Sequence, residues 1–67
     1  MSIPLHLRKA DDGLHVVTGH MRLQAALSIQ DEVLVDAPGV GEVLIAKLPD
    51  GRLVATQDEQ TVALLGL

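Results

Sequence analysis

A gapless internal repeat constrains the fold of this chain more than any other feature of its sequence. When Ile3–Ile29 is laid on Gly41–Leu67, seven positions are identical, including the Asp-Gly pairs Asp12-Gly13 and Asp50-Gly51. Chance would give about two identities in a window of this length. The repeat therefore predicts two related units, residues 3–29 and 41–67, joined by a short apolar strand at residues 32–36.

In the first unit, apolar residues alternate with polar ones before an Asp-Gly pair, which is typical of a half-buried strand entering a tight hairpin. A three-residue loop at residues 11–13 would pair Leu7 with Val17, whereas a two-residue loop would pair Leu7 with Thr18. The first register buries more apolar surface, so it is the one we predict. In the second unit, a two-residue turn at Asp50-Gly51 predicts the pairs Leu48–Leu53 and Ala46–Ala55.

A helix is predicted to close each unit. The first runs from Gly19 or His20 to Ile29, with Thr18 as its N-cap. Its apolar residues form two stripes, Leu23, Ala26 and Leu27 on one side and Met21, Ala25 and Ile29 on another. A helix this apolar is expected to be covered on more than one side.

The second helix is predicted to begin near Thr56. Thr56 and Glu59 have the spacing of a capping box, in which each side chain binds a free amide of the other residue. Gly66 is expected to stop this helix, with Leu67 packing back on it.

The predicted order is ββα-β-ββα, which indicates a single α+β domain of residues 1–67 with a small, mainly antiparallel sheet and two helices. The chain has 67 residues, of which 48% are apolar and none is aromatic. Its core must be aliphatic, without the large area that an aromatic ring buries. A core this small is expected to gain stability from a second copy or a protein partner.

Composition excludes several classes of function. There is no cysteine, so disulfides, thiolate metal sites and cysteine nucleophiles are excluded. The net charge of −4 disfavours nonspecific binding to DNA. No apolar stretch approaches the length of a membrane span, and the N-terminus lacks the pattern of a signal peptide. We therefore expect a soluble, cytoplasmic protein that does not bind membranes.

Residues 18–22 are the candidate site. Gly19 allows a ligand to approach the backbone, and the free amides at the start of a helix favour an anion. Arg22 lies in the first turn, where the helix dipole disfavours a cation unless an anion is present, and its guanidinium can bind a phosphate with two hydrogen bonds. His20 can add a donor. The alternative is that Arg22 is structural and pairs with a nearby carboxylate.

Other polar residues have simpler interpretations. His6, His15 and His20 lack the spacing of metal ligands and are expected to face solvent. No metal is therefore expected. Asp11 and Asp12 suit a turn, and Gly39–Gly41, which lacks the remaining residues of a phosphate-binding loop, is also interpreted as part of a turn or linker. No nucleophile–base pattern is recognisable, so the chain is expected to be a binding protein rather than an enzyme.

The segments Ile3–Arg8 and Asp12–Ala26 resemble the ParB/sulfiredoxin-like superfamily. The shared pattern is a proline-led strand, an Asp-Gly hairpin, a second strand, and Gly-His-x-Arg-apolar-x-Ala-Ala opening a helix. In that superfamily the start of this helix holds nucleotide phosphates, those of CTP in ParB and of ATP in sulfiredoxin. The resemblance thus implies that Gly19, His20 and Arg22 bind CTP or ATP.

The chain also departs from the pattern of the superfamily. Met21 and Gln24 stand where ParB proteins often have further arginines, and His20 stands where sulfiredoxin has its catalytic cysteine. Sulfiredoxin chemistry is excluded, and no cofactor is required. Two functional hypotheses follow: a non-catalytic ParB-like module that holds a phosphate-bearing ligand, or a small acidic interaction or structural module, phage- or plasmid-borne, without a ligand site.

Overall fold

One curled sheet accounts for most of the chain. The computed structural model describes the backbone of residues 3–66 and the side chains of residues 5–66. In chain order the elements are β1 (Ile3–Pro4), β2 (His6–Ala10), β3 (Gly13–Thr18), α1 (His20–Leu27), β4 (Glu32–Ala37), β5 (Gly41–Lys47), β6 (Leu53–Gln57) and β7 (Gln60–Leu65). Strand β4 covers the apolar segment that the sequence predicts to be a strand.

The strands lie in the order β1-β4-β5-β6-β7-β3-β2. Pairs β1–β4 and β3–β7 are parallel, and the other neighbours are antiparallel. Although β1 and β2 lie at opposite edges of the sheet, only Leu5 separates them in sequence, and Leu5 is buried. The chain therefore passes from one edge to the other at Leu5, which requires the sheet to curl into a half-barrel.

The core lies on the inner face of this half-barrel. Alternation along β4 sends Val33, Val35 and Ala37 inward and leaves the residues between them exposed. Helix α1 places Leu23 and Leu27 against the inner face. Every buried side chain within residues 5–66 is aliphatic, in keeping with a sequence that has no aromatic residues.

The predicted second helix is wrong, and with it the two-helix α+β arrangement and the ββα duplication. Strand β6 continues to Gln57, and a two-residue turn at Asp58 and Glu59 leads into β7. Strand β7 pairs with β6 on one side and with β3 on the other, which buries Leu64. A helix here would leave β6 and β3 each with one unpaired edge, so sheet pairing outweighs the local capping-box signal. Gly66 consequently follows a strand, and Leu67 lies outside the described residues.

The first helix is present, but its start, end and coverage differ from prediction. Its N-cap is Gly19 rather than Thr18, and it ends at Leu27. The chain then turns, with the amides of Ile29 and Gln30 donating to the carbonyl oxygen of Ala26. Only the face with Leu23 and Leu27 is buried, so within residues 5–66 the helix is covered on one side and not, as predicted, on more than one.

The registers of both hairpins also differ from prediction. In the first, the turn is Asp11-Asp12 and Leu7 pairs with Val16, not Val17. A bulge between His6 and Leu7 shifts the ladder. This register directs Val16 into the core and leaves Val17 exposed, and a slip by one residue would exchange the two.

The second hairpin pairs Ile45 with Ala55 and Lys47 with Leu53, leaving a five-residue loop at 48–52. The observed register buries Ile45, a larger apolar side chain than the Ala46 of the predicted register. Within the loop, the backbone amide of Arg52 donates to Asp50 Oδ1 at 3.0 Å and Arg52 Nε donates to Asp50 Oδ2 at 2.6 Å. Both hydrogen bonds lower the pKa of Asp50, and the bond from the backbone amide has the larger effect.

Candidate functional site

The candidate site is the start of α1, where the chain leaves β3. Gly19 takes a left-handed conformation, with φ at +99°, and acts as the N-cap. A residue with a β-carbon adopts this conformation at a cost, so glycine suits the sharp entry into the helix. Glycine also has no side chain that could cap the helix, and no side-chain cap bond is formed.

The first amides of α1 are consequently free of helical bonds. The helical ladder begins with the amide of Leu23, which donates to the carbonyl oxygen of Gly19 at 3.1 Å. The amides of His20, Met21 and Arg22 precede this bond and have no acceptor within the helix. They make the start of α1 a source of hydrogen-bond donors and of positive potential.

The charges around this end of the helix do not offset its dipole. The first turn contains no acidic residue. Arg22 is exposed, and within side chains 5–66 the close contacts between acidic and basic groups are Asp12–His15 and Asp50–Arg52 alone. Within that part of the chain, Arg22 therefore lacks the carboxylate partner that its structural interpretation predicts.

The site is a surface rather than a pocket. His20 is half-buried, whereas Arg22 is exposed and Met21 is 84% exposed. Neither the cavity at the open end of the sheet nor the cavity beside Ser28 includes these residues. An anionic group bound here would therefore remain in contact with water, and its affinity would depend on salt.

The structure separates the other residues that the sequence singles out. His15 Nε2 lies 2.9 Å from Asp12 Oδ1, and this hydrogen bond is the main reason that the pKa of Asp12 is lowered. His6 is exposed on β2, where it pairs with Thr18. No group of three His, Asp or Glu side chains that could hold a metal ion occurs in the described part of the chain.

Three further segments have structural roles. Ser28 Oγ donates to the carbonyl oxygen of Ala25 at 2.6 Å at the end of the helix. Residues 38–40 form a turn closed by a hydrogen bond from the Val40 amide to the Ala37 carbonyl oxygen, as the sequence predicts for this glycine-containing segment. Residues 57–60, predicted to be an acidic helix start, instead form the β6–β7 turn.

Sequence reasoning missed the cavity at the open end of the sheet, which involves residues of β2, β6 and β7. Because the sequence predicts a helix at these residues, strand β7 and the cavity beside it were not expected. The alternate positions Gln60, Val62 and Leu64 were the available signal, since this spacing is typical of one face of a strand.

No family model, curated protein or solved structure matches this chain. Within residues 3–66, no helix has the length and apolar character needed to cross a membrane.

Proposed function

We propose that this chain is a non-catalytic binding module that holds the phosphate of a nucleotide at the start of α1. One observation carries the proposal: the positive end of the helix has a glycine cap, no acid in its first turn and, among the described side chains, no carboxylate on Arg22. This arrangement is electrostatically unfavourable unless an anion is bound. The resemblance of the same residues to the ParB/sulfiredoxin-like superfamily supports it.

Each residue of the site has a separate role in this proposal. The amides of His20, Met21 and Arg22 donate to phosphate oxygens, and Gly19 keeps the approach open. The Arg22 guanidinium donates two parallel hydrogen bonds, and the half-buried His20 ring offers a further donor. The non-catalytic part of the proposal rests on the lack of a nucleophile–base pair near this site in the described structure.

A mononucleotide fits the composition better than a nucleic acid. The chain carries a net charge of −4, which would repel an extended polyanion. It also has no Phe, Tyr or Trp on which a base could stack. We therefore expect recognition of phosphate without discrimination between bases, so that CTP, ATP and inorganic tripolyphosphate bind alike. Cytoplasmic localisation, where nucleotides are abundant, belongs to the same proposal.

Amide shift mapping on ¹⁵N-labelled protein tests this. Millimolar CTP, ATP and tripolyphosphate should each perturb the amides of residues 19–22, with similar apparent affinities that fall as salt is added. Shifts confined to another part of the molecule, or none at millimolar ligand, would exclude the nucleotide proposal.

A second candidate function is protein interaction. It is favoured by the face of α1 that lies opposite the buried Leu23 and Leu27. Met21 on α1 and Ile29 in the turn that follows the helix are each 84% exposed, and the exposed Ala25 lies between them in sequence. We propose a second copy of the chain as the occupant, because this stripe is symmetric about Ala25. In an antiparallel pair of helices, Met21 of one copy faces Ile29 of the other while the small Ala25 residues permit close approach.

Analytical ultracentrifugation distinguishes this candidate from the first. The native protein should sediment as a dimer at high concentration, and Met21→Ser with Ile29→Ser should make it a monomer. Val17→Ser is the control, because Val17 is an exposed apolar residue on β3 and is not part of the stripe. A native protein that is monomeric at all concentrations would remove the dimer proposal and leave the phosphate proposal untouched.

A further inference from the structure

The inner face of the half-barrel has an uncovered region beyond the reach of α1. A cavity of about 230 Å³ lies there, between the β2–β3 turn and the β6–β7 hairpin. Its volume is below the usual range for drug-sized ligands, so it suits a small molecule.

The floor of this cavity is apolar. Ala55 and Val62 are cross-strand partners, so their side chains share the inner face, and Leu14 lines the cavity from β3. Ala55 is 1% exposed whereas Val62 is 40% exposed, although the two residues form one cross-strand pair. Ala55 is therefore covered almost completely, whereas nothing in residues 5–66 covers Val62 completely.

Two opposite charges border this floor. Lys9 pairs with the buried Leu14 and therefore projects from the inner face of β2, while Asp11 lies in the adjoining turn. Neither side chain forms an ion pair within the described structure, with each other or with any other residue. A ligand could therefore meet one cation and one anion at the edge of an apolar surface.

A third polar group is held in a fixed orientation. Gln57 Nε2 donates to the carbonyl oxygen of Val40 at 2.5 Å and to that of Glu42 at 3.3 Å. These bonds use the amino group of the side-chain amide, and Gln57 is one of the residues that line the cavity. Gln60, the cross-strand partner of Gln57, lines the same edge.

We propose that this cavity binds a small aliphatic amino acid in its zwitterionic form. Lys9 binds the carboxylate, and Asp11 binds the ammonium group. The aliphatic side chain rests on Ala55 and Val62. The ligand thus matches both charges and the apolar floor, whereas a ligand with a single charge leaves one of them unsatisfied. This site is separate from the start of α1 and does not depend on the function proposed for it.

Shift mapping with L-leucine, isovalerate and isoamylamine tests the proposal. L-leucine should perturb residues 9–14 and 55–62 at millimolar concentration, and each single-charge analogue should bind at least about tenfold more weakly. No leucine-induced shifts in these residues, or equal binding of leucine and one analogue, would overturn the two-charge site.

Matched variants locate the binding. Lys9→Met should weaken leucine binding at least about tenfold, while Arg8→Met, on the outer face of the same strand, should leave it unchanged. Val62→Phe should block the cavity, whereas Val17→Phe, at a similarly exposed outer position, should not. Equal effects of the two members of either pair would contradict the proposal. Shifts at residues 19–22 with nucleotides are a different signal, so the two sites can fail independently.

Discussion

Gly13 lies against Ala63 where β3 and β7 run side by side. A β-carbon built on Gly13 would stand 2.3 Å from the carbonyl oxygen of Ala63, closer than real β-carbons approach backbone atoms. Gly13 also has a positive φ of 138°, which residues with side chains rarely adopt. Glycine at this position therefore permits the parallel pairing that joins the last strand to the first hairpin.

Replacing Gly13 with alanine should destabilise the protein strongly. The methyl group clashes with backbone that cannot move without breaking the β3–β7 pairing, so we expect a loss of about 3 kcal/mol in the free energy of unfolding. Gly51→Ala is the matched control, since Gly51 has a positive φ but open space around it, and should cost about 1 kcal/mol. Urea denaturation followed by circular dichroism measures both, and equal losses would argue against the β3–β7 contact.

The turn between β6 and β7 predicts a stabilising substitution. Asp58 and Glu59 have φ values of 51° and 66°, both in the left-handed region that a two-residue hairpin turn requires. Asn and Gly adopt this conformation at lower cost, so Asp58→Asn with Glu59→Gly should raise the free energy of unfolding by about 1 kcal/mol.

The same double variant distinguishes the observed hairpin from the helix that the sequence predicts for the same residues. Glycine in the first turn of a helix would lower stability, so a loss of stability would contradict the hairpin. Glu42→Gly, at a strand position without a positive φ, is the control and should destabilise the protein.

The Asp12–His15 contact predicts a dependence of stability on acid pH. The hydrogen bond from His15 lowers the pKa of Asp12 in the folded protein. A lowered folded-state pKa contributes stability above the unfolded-state value of about 3.9, and this contribution is lost as pH falls through the folded-state pKa.

Thermal unfolding between neutral pH and pH about 3 measures the effect. Asp12→Asn should be less stable than the native protein at neutral pH, and the difference should shrink as the medium becomes acidic. Asp11→Asn, whose carboxylate forms no ion pair within residues 5–66, should show no such change. A difference for Asp12→Asn that persists unchanged at low pH would show that the contact does not act through the charged carboxylate.

The two faces of α1 predict opposite results for large-to-small substitutions. Leu23 is 0% exposed, so Leu23→Ala should lower the free energy of unfolding by about 3 kcal/mol through lost burial and a residual cavity. Met21→Ala removes a side chain that is 84% exposed and should change stability little in the monomer. Chemical denaturation at low protein concentration compares them. If both variants lose equal stability, the helix packs differently from the arrangement described.

The first half of the chain could be predicted from its sequence in outline. The Asp-Gly pair, the apolar alternation and the helix after Gly19 identify β2, β3 and α1, because each signal is local. The predicted register of the first hairpin was wrong by one residue. The position of its turn depends on whether the rest of the core buries Val16 or Val17. A single hairpin considered alone does not contain that information.

The second half could not be predicted, because a local signal competes there with a distant one. Thr56 to Glu59 satisfies the pattern of a helix start, yet β7 is stabilised by pairing with β3, about fifty residues away in sequence. The cavity beside Lys9 was missed for the same reason. The residues of the α1 start are consecutive, so their proximity could be predicted, whereas the lack of a carboxylate on Arg22 required the folded structure.

The most direct test of the proposed function compares two arginine variants by amide shift titration with tripolyphosphate. Arg22→Gln should weaken binding at residues 19–22 at least about tenfold, because it removes the bidentate donor, while Arg8→Gln, with the same loss of charge on β2, should bind as the native protein does. Equal weakening by the two variants would show that binding depends on overall charge and not on Arg22. A native protein whose amide shifts do not respond to tripolyphosphate would contradict the proposed phosphate site directly.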